Sequence, residues 1–194
     1  MEQMIEQVCI DFCRQSGVVV FALDPINAVA GETRYDIDTP FGLDFVSITE
    51  AWFLKSRLTP FNQCDRGNVV EHYNRDFAGA GRQAGQPTKF RTLGTREFLL
   101  NAAPNVNIPN AITLKVSVKP ARNSHNVPDM LLDDYQEVIT SGVLARLFKH
   151  PDYVNLNLAL YYDEVYASGR TSARIDAENS FQKSVTTARP VRFG

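Results

Sequence analysis

A glycine-rich stretch from Gly79 to Gly85 is the first feature that could carry chemistry, because closely spaced glycines can cradle a phosphate group. Such a cradle needs a strand before it and a helix after it, so that the helix N-terminus faces the phosphate. Here Tyr73 to Phe77 precedes the glycines and Pro87 closes them, with a strand predicted beyond. The pattern therefore favours a flexible surface loop over a nucleotide site.

Cysteine and histidine side chains could bind a metal ion. Cys9 and Cys13 are one helical turn apart, but no second Cys or His pair follows at the spacing of a zinc site. Cys9 also belongs to an apolar stripe, which favours burial in the core. The histidines stand in three separate segments without a shared motif: His72, His125 and His150. We expect neither a metal nor a cofactor.

Serine and carboxylate chemistry is equally poorly supported. Ser16 and Ser141 are each followed by glycine, but neither is flanked by glycine on both sides as a nucleophile elbow requires. The acidic cluster from Asp129 to Glu137 could contain a catalytic carboxylate pair, although acidic residues are common at the start of a helix. We predict that the protein is not an enzyme. A small enzyme that uses this cluster is an alternative, which Asn or Gln substitutions would test.

Composition narrows the class of protein further. The 194 residues suit one domain, and the longest apolar run, Val18 to Leu23, is too short to span a membrane. The first sixteen residues carry three acidic groups and one basic group, which is the wrong charge for a signal peptide. An odd count of three cysteines suggests synthesis in a reducing cytoplasm. The net charge of -2 argues against general nucleic-acid binding.

Hydrophobic periodicity predicts helices at both ends of the chain. A first helix over residues 1–17 has apolar residues at spacings of three and four, and Gly17 stands where a C-cap glycine is expected. A long helix opens at Pro128 and runs to about Lys149, and a second runs from Asn155 to Ala177. Between them, prolines and glycines punctuate strand-like runs, and Ile112 to Val118 alternates cleanly.

These elements predict an α+β fold in which a helical bundle carries an inserted antiparallel β domain and an extended C-terminal arm. The bundle would comprise residues 1–17 and 125–177, the β domain residues 18–124 and the arm residues 178–194. Small residues on the two late helices would let them approach closely; these are Ser141, Gly142 and Ala145 on one helix and Ala159, Gly169 and Ala173 on the other.

Charge is distributed unevenly along the chain. The segment from Arg66 to Arg96 has six basic and two acidic residues, whereas Asn123 to Thr140 has four acidic residues and no Lys or Arg. A solvated surface explains each segment alone, but together they also suit neighbouring copies that meet head to tail. Arg170 and Arg174 repel each other at i, i+4, and a nearby acidic group would stabilise them. The candidate inter-subunit contacts are therefore Asp133, Asp134, Glu137, Arg170 and Arg174.

The order of segments resembles the head-to-tail adaptor (connector) proteins of tailed bacteriophages, the tail tubular protein A-like family of short-tailed phages. Matching stretches cover most of the chain in order, although an aromatic residue expected after the first helix is replaced by Gly17-Val18. They are Cys9 to Arg14, Ala30 to Ile37 leading into Pro40, Gly85 to Phe90, Leu114 to Pro120, Pro128 to Tyr135, Ile139 to Leu147, and the basic ending Arg189 to Gly194.

The resemblance implies a structural virion protein at the head-tail interface, made in the host cytoplasm. Twelve copies would form a ring under the portal protein, with downstream tail or nozzle proteins attached. Double-stranded DNA would pass through the lumen without sequence-specific binding. The C-terminal arm would reach into the portal, and its candidate contact residues are Val185, Thr187, Arg189, Arg192 and Phe193. From the residues alone a frayed terminus is the simpler explanation of that segment, but the resemblance favours the arm.

A second function class stays open beside the connector. The β domain could be a ligand- or carbohydrate-binding module of a tail protein, with Trp52 and Tyr73 stacking on sugar. Core packing of both aromatic rings is the simpler explanation. A glycan-binding module would bind sugar as an isolated chain, whereas an adaptor needs the portal.

Overall fold

The computed structural model describes residues 2–61, 85–94, 96–122, 124 and 127–183. Its helices are α1 (Glu2–Ser16), α2 (Asp129–Leu147) and α3 (Leu156–Lys183), with a 3-10 turn at Pro151–Tyr153. Its strands are β1 (Val20–Ala22), β2 (Ile26–Ala28), β3 (Arg34–Asp36), β4 (Leu43–Phe53), β5 (Ser56–Arg57), β6 (Thr59–Pro60), β7 (Lys89–Leu93), β8 (Glu97–Leu100) and β9 (Ile108–Pro120).

The backbone divides into two compact units. The helical unit consists of Met1–Val19 with Lys119–Gly194, and the β unit consists of Val20–Val118. The helical unit is thus assembled from both ends of the described chain, while the β unit is continuous in sequence.

Two sheets build the β unit. The first has the order β1-β9-β4-β5, with β2 also paired to β9, and the second has the order β3-β8-β7-β6. The pairs β1/β9, β2/β9, β3/β8, β4/β5 and β7/β8 are antiparallel, and β6 and β7 run parallel. The long strand β9 is central, because it pairs with three others.

Strand β9 also supplies one face of the β core, because side chains alternate across a strand with a period of two. Ile112, Leu114, Val116 and Val118 are completely buried. This confirms the alternation predicted for Ile112 to Val118. In the second sheet, Phe98 is completely buried and stacks against Tyr35, with the ring centroids 5.6 Å apart.

The predicted fold class is wrong in its architecture. The chain is α+β, but a helical bundle with an inserted domain does not describe it, since the sheets form an extensive half-barrel. Most of the largest fully buried side chains among the described residues lie in those sheets. The physical reason is the pairing of β9, whose buried face gives the sheets a core of their own. The predicted architecture relied on helical periodicity at the chain ends, which does not show how extensively the intervening strands pair.

In the helical unit, α1 ends where the sequence predicted. Gly17 adopts a left-handed conformation with φ 67°, and its N–H donates to the Cys13 carbonyl at 3.0 Å. Val8, Cys9 and Phe12 are buried, which confirms the core position of Cys9, whereas Ile5 of the same predicted stripe is 41% exposed.

Helices α2 and α3 form an antiparallel hairpin at very close range. The small residues Ala145, Ala159 and Ala173 are each 1% exposed. A Cβ atom on Gly142 would lie 2.8 Å from both the Tyr166 ring and Val8, and one on Gly169 would lie 2.6 Å from Val138. The predicted close approach of these helices is confirmed.

Helix α3 extends further than predicted. It continues to Lys183, so the arm cannot begin at residue 178. An ion pair between Arg174 and Glu178, one turn apart, supports the helix across that boundary. The remaining predicted arm, including Val185, Thr187, Arg189, Arg192 and Phe193, lies outside the described residues.

The contact at Gly169 yields a stability prediction. We expect Gly169→Ala to lower the free energy of unfolding by about 1 kcal/mol, because crowding the stiff Val138 side chain outweighs the higher helix propensity of alanine. Urea denaturation measures the change. The matched control is Ser172→Ala on the exposed side of α3, which should stabilise the protein by a few tenths of a kcal/mol. Equal effects of the two substitutions would contradict the close packing.

Candidate interaction surfaces

A hydrogen-bonded cluster around Asp11 joins α1 to α3. The Tyr166 hydroxyl donates to Asp11 Oδ2 at 2.9 Å, and Arg170 Nη1 donates to the same oxygen at 3.1 Å. The Arg170 guanidinium also lies 5.3 Å from the centroid of the Tyr166 ring. Burial and the hydrogen bond to Asp11 raise the pKa of Tyr166, so its hydroxyl stays a donor. The cluster therefore locks two helices that are distant in sequence.

This cluster weakens the argument that the two arginines on α3 need a partner from another copy. Arg170 is bound to Asp11, and Arg174 Nε donates to Glu178 Oε1 at 2.9 Å. Each arginine thus has a carboxylate partner in its own chain. Their contact with a neighbouring copy stays a prediction, but repulsion between unpaired arginines no longer supports it.

The three carboxylates predicted to contact neighbours form an acidic face on α2. Asp133, Asp134 and Glu137 are all exposed, and none of these side chains has a hydrogen bond or ion pair to a described residue. The helix dipole stabilises acidic groups mainly in the first turn of a helix. Because α2 begins at Asp129, these three residues lie beyond that turn. The three like charges stand within five residues of chain, on either side of Tyr135, whose non-helical backbone kinks α2. The acidic face is therefore an unfavourable local arrangement that a positive partner would relieve.

A basic groove lies on another side of the same unit. It has a volume of about 630 Å³ and runs between α1, the residues that end and follow β9, and the last turn of α2. Its cations are Arg14, Lys119, Arg122 and Arg146, and its carboxylates are Glu6 and Asp11. Arg146 Nη1 is oriented by a hydrogen bond to Gln7 Oε1 at 3.1 Å. Asp11 is already engaged by Tyr166 and Arg170, so positive charge dominates the groove.

An apolar tip lies where α2 turns into α3. We define it by Tyr153, Val154, Leu156, Leu160 and Tyr161, which are 58–66% exposed. Leu156 and Leu160 are one turn apart and share one side of α3. Phe148 and Tyr162 stack beneath this turn with ring centroids 5.8 Å apart, and an ion pair joins Lys149 to Asp163. The tip is therefore a braced structure that presents apolar groups to solvent.

In the β unit, a buried carboxylate is held between two cations. The Glu50 side chain on β4 is 2% exposed, with Lys115 Nζ 2.9 Å from its Oε2 and Arg57 Nη2 3.7 Å from its Oε1. Lys115 also lies 5.4 Å from the centroid of the Trp52 ring. These residues bridge three neighbouring strands, β5, β4 and β9. The sequence did not reveal this cluster, because its members lie on separate strands that only sheet pairing brings together.

The same cluster bears on the sugar-stacking hypothesis. Trp52 is half-buried in β4, and one face of its ring is approached by Lys115. Tyr73, His72, His125 and the glycine stretch before Gly85 lie outside the described residues. The described part of the chain thus does not bring Trp52 together with a second stacking ring.

The two cysteines of α1 are buried thiols. Burial raises the pKa of Cys9, and burial together with the neighbouring Cys9 raises the pKa of Cys13 to about 12. Among the described residues, no three His, Cys, Asp or Glu side chains form a group that could hold a metal ion. The same residues include no helix with the length and apolar character needed to cross a membrane.

Comparison with known proteins adds no assignment. No protein-family model matches the chain, and no curated protein matches it. The resemblance to head-to-tail adaptors is therefore still a prediction from the sequence.

The buried thiols should be chemically inert in the folded protein. In a Cys64→Ser background, we expect iodoacetamide at pH 8 to alkylate Cys9 and Cys13 at least a hundredfold more slowly than in the denatured chain, because the thiolate is the reactive form. The free energy of unfolding should also fall between about pH 9 and pH 12, because the unfolded chain releases thiol protons that the folded chain retains. Cys13→Ala should reduce that slope. Rapid alkylation of the native protein would contradict the burial.

The Glu50 cluster should contribute far more to stability than a surface ion pair. We expect Glu50→Gln to lower the free energy of unfolding by about 1–3 kcal/mol, because two cations lose their buried counter-charge. Glu97→Gln is the matched control, since Glu97 pairs with Arg34 at an exposed site and should cost less than about 1 kcal/mol. Urea denaturation measures both changes, since urea is uncharged and does not screen the ion pairs. Similar losses for the two variants would show that burial does not strengthen the Glu50 cluster.

Proposed function

We propose that the chain is a structural virion protein, a head-to-tail adaptor that forms a ring under the portal of a tailed phage. In this role it connects the capsid to the tail and lets DNA pass. The proposal joins the resemblance in the sequence to the surfaces of the helical unit. Its partners would be other copies of the chain, the portal protein and downstream tail or nozzle proteins.

The apolar tip is the observation that carries this proposal. Tyr153, Leu156 and Leu160 expose large apolar groups within eight residues of chain, and such clusters on a water-soluble surface mark sites of protein association. Burying one leucine contributes about 1.5–3 kcal/mol. The tip is therefore suited to insertion into an apolar pocket of a larger assembly.

The charge distribution supports a role that lets DNA pass. The net charge is -2, and the helical unit carries an acidic face as well as a basic groove. A dense run of phosphate contacts would hold DNA firmly, because each contact releases counterions. A ring of nearly neutral subunits would instead let the duplex slide without sequence-specific binding.

The test is co-sedimentation with the portal ring from the same source. We expect the wild-type chain to sediment with the ring and Leu156→Asp/Leu160→Asp to lose at least a hundredfold in affinity, because two buried leucines would become charged. Phe41→Asp is the matched control, since Phe41 is fully exposed in the β unit and should bind as the wild type does. Circular dichroism of each variant checks its helical content.

A truncation separates the arm from the tip. Ending the chain after Lys183 keeps all of α3, which a cut after Ala177 would not. Loss of portal binding in this truncation would support the predicted arm, and unchanged binding would refute the arm while keeping the adaptor. If the full chain does not bind the portal at all, the adaptor is wrong. Binding of an oligosaccharide by the isolated chain would then favour the carbohydrate-binding module.

A further inference from the structure

The helical unit carries two charged surfaces that share no residue, the basic groove and the acidic face. Tyr135 contacts Phe12 of α1 with ring centroids 5.1 Å apart, and Arg146 is bonded to Gln7 of α1. These contacts show which side of α2 packs against α1. Asp133 and Glu137 flank Tyr135, whose non-helical backbone kinks α2, and both side chains are exposed rather than part of that contact.

The two surfaces are not joined to each other within the described part of the chain. Asp133, Asp134 and Glu137 do not line the basic groove, and no hydrogen bond or ion pair among the described residues links them to its cations. Charges in solution are screened over about 8–10 Å at physiological ionic strength, so only groups that come close together attract each other strongly. A second copy can bring the opposite charge close to each surface.

We infer that the basic groove binds the acidic face of a second copy of this chain. Arg14, Arg122 and Arg146 of one copy then face Asp133, Asp134 and Glu137 of the next. A contact between two different surfaces is heterologous, and repeating it adds copies head to tail until a ring closes. The inference rests on the proposed function, because the ring of an adaptor needs such a contact, and it replaces Arg170 and Arg174 as the basic side.

Charge reversal on each surface tests the contact. The groove variant is Arg14→Glu/Arg122→Glu, and the acidic-face variant is Asp133→Lys/Asp134→Lys. All four residues are exposed, so these substitutions spare the core. Sedimentation velocity of the whole chain at low ionic strength should show self-association of the wild type, with each variant alone at least tenfold weaker because like charges then meet.

Mixing the two variants is the decisive measurement. In an alternating arrangement, the reversed groove of one copy meets the reversed acidic face of the next, and the other two surfaces remain natively complementary. The equimolar mixture should therefore associate to within about threefold of the wild type, and added salt should weaken both alike. Lys55→Glu/Arg96→Glu is the matched control for the groove variant, because it makes the same change in net charge on the exposed surface of the β unit.

Three results would overturn the inference. They are a wild type that stays monomeric at every concentration, a groove variant that associates as the wild type does, and a mixture that fails to restore association. No portal is present in this experiment. Its failure would leave a positive co-sedimentation result standing, and a failure to bind the portal would leave a restored mixture standing.

Discussion

The insertion of Tyr166 between α1 and α2 is the contact on which the helical unit depends. Its ring packs against Gly142, where any Cβ atom would lie within 2.8 Å, and its hydroxyl donates to Asp11 at 2.9 Å. One side chain thus fills an apolar gap and satisfies a partly buried carboxylate. Such contacts fix the helices at one separation and one rotation, because close-packed interiors do not deform continuously.

The rigidity of this packing fixes the positions of the surface groups relative to one another. The groove, the acidic face and the apolar tip all include residues of helices whose relative positions are set by Gly142, Tyr166 and Gly169. A surface on a fixed element loses little conformational entropy on binding, which favours association between preformed partners. The Glu50 cluster has a comparable role in the β unit, where it ties three strands together through charge.

The sequence predicted what depends on local pattern. Alternation in β9, the C-cap at Gly17 and the small residues of the hairpin all follow from spacing alone. The partner of Arg170 did not, because Asp11 lies 159 residues away and no spacing rule connects them. Exposure at Leu156 was also invisible, since an apolar helical position looks the same whether a neighbour covers it or not. The extent of the sheets could not be predicted, because the pairing of β9 joins strands that are far apart in the sequence.

The discontinuity of the helical unit has a consequence for how the chain folds. The buried stripe of α1, including Val8 and Phe12, packs against helices that begin more than a hundred residues later. During synthesis from the N-terminus, α1 therefore leaves the ribosome without its partners, while the β unit emerges whole and can fold first. Closing so long a loop is slow compared with local pairing. The last helix to be made completes the helical unit, so a chain whose translation stops before α3 can fold its β unit but cannot complete the helical unit.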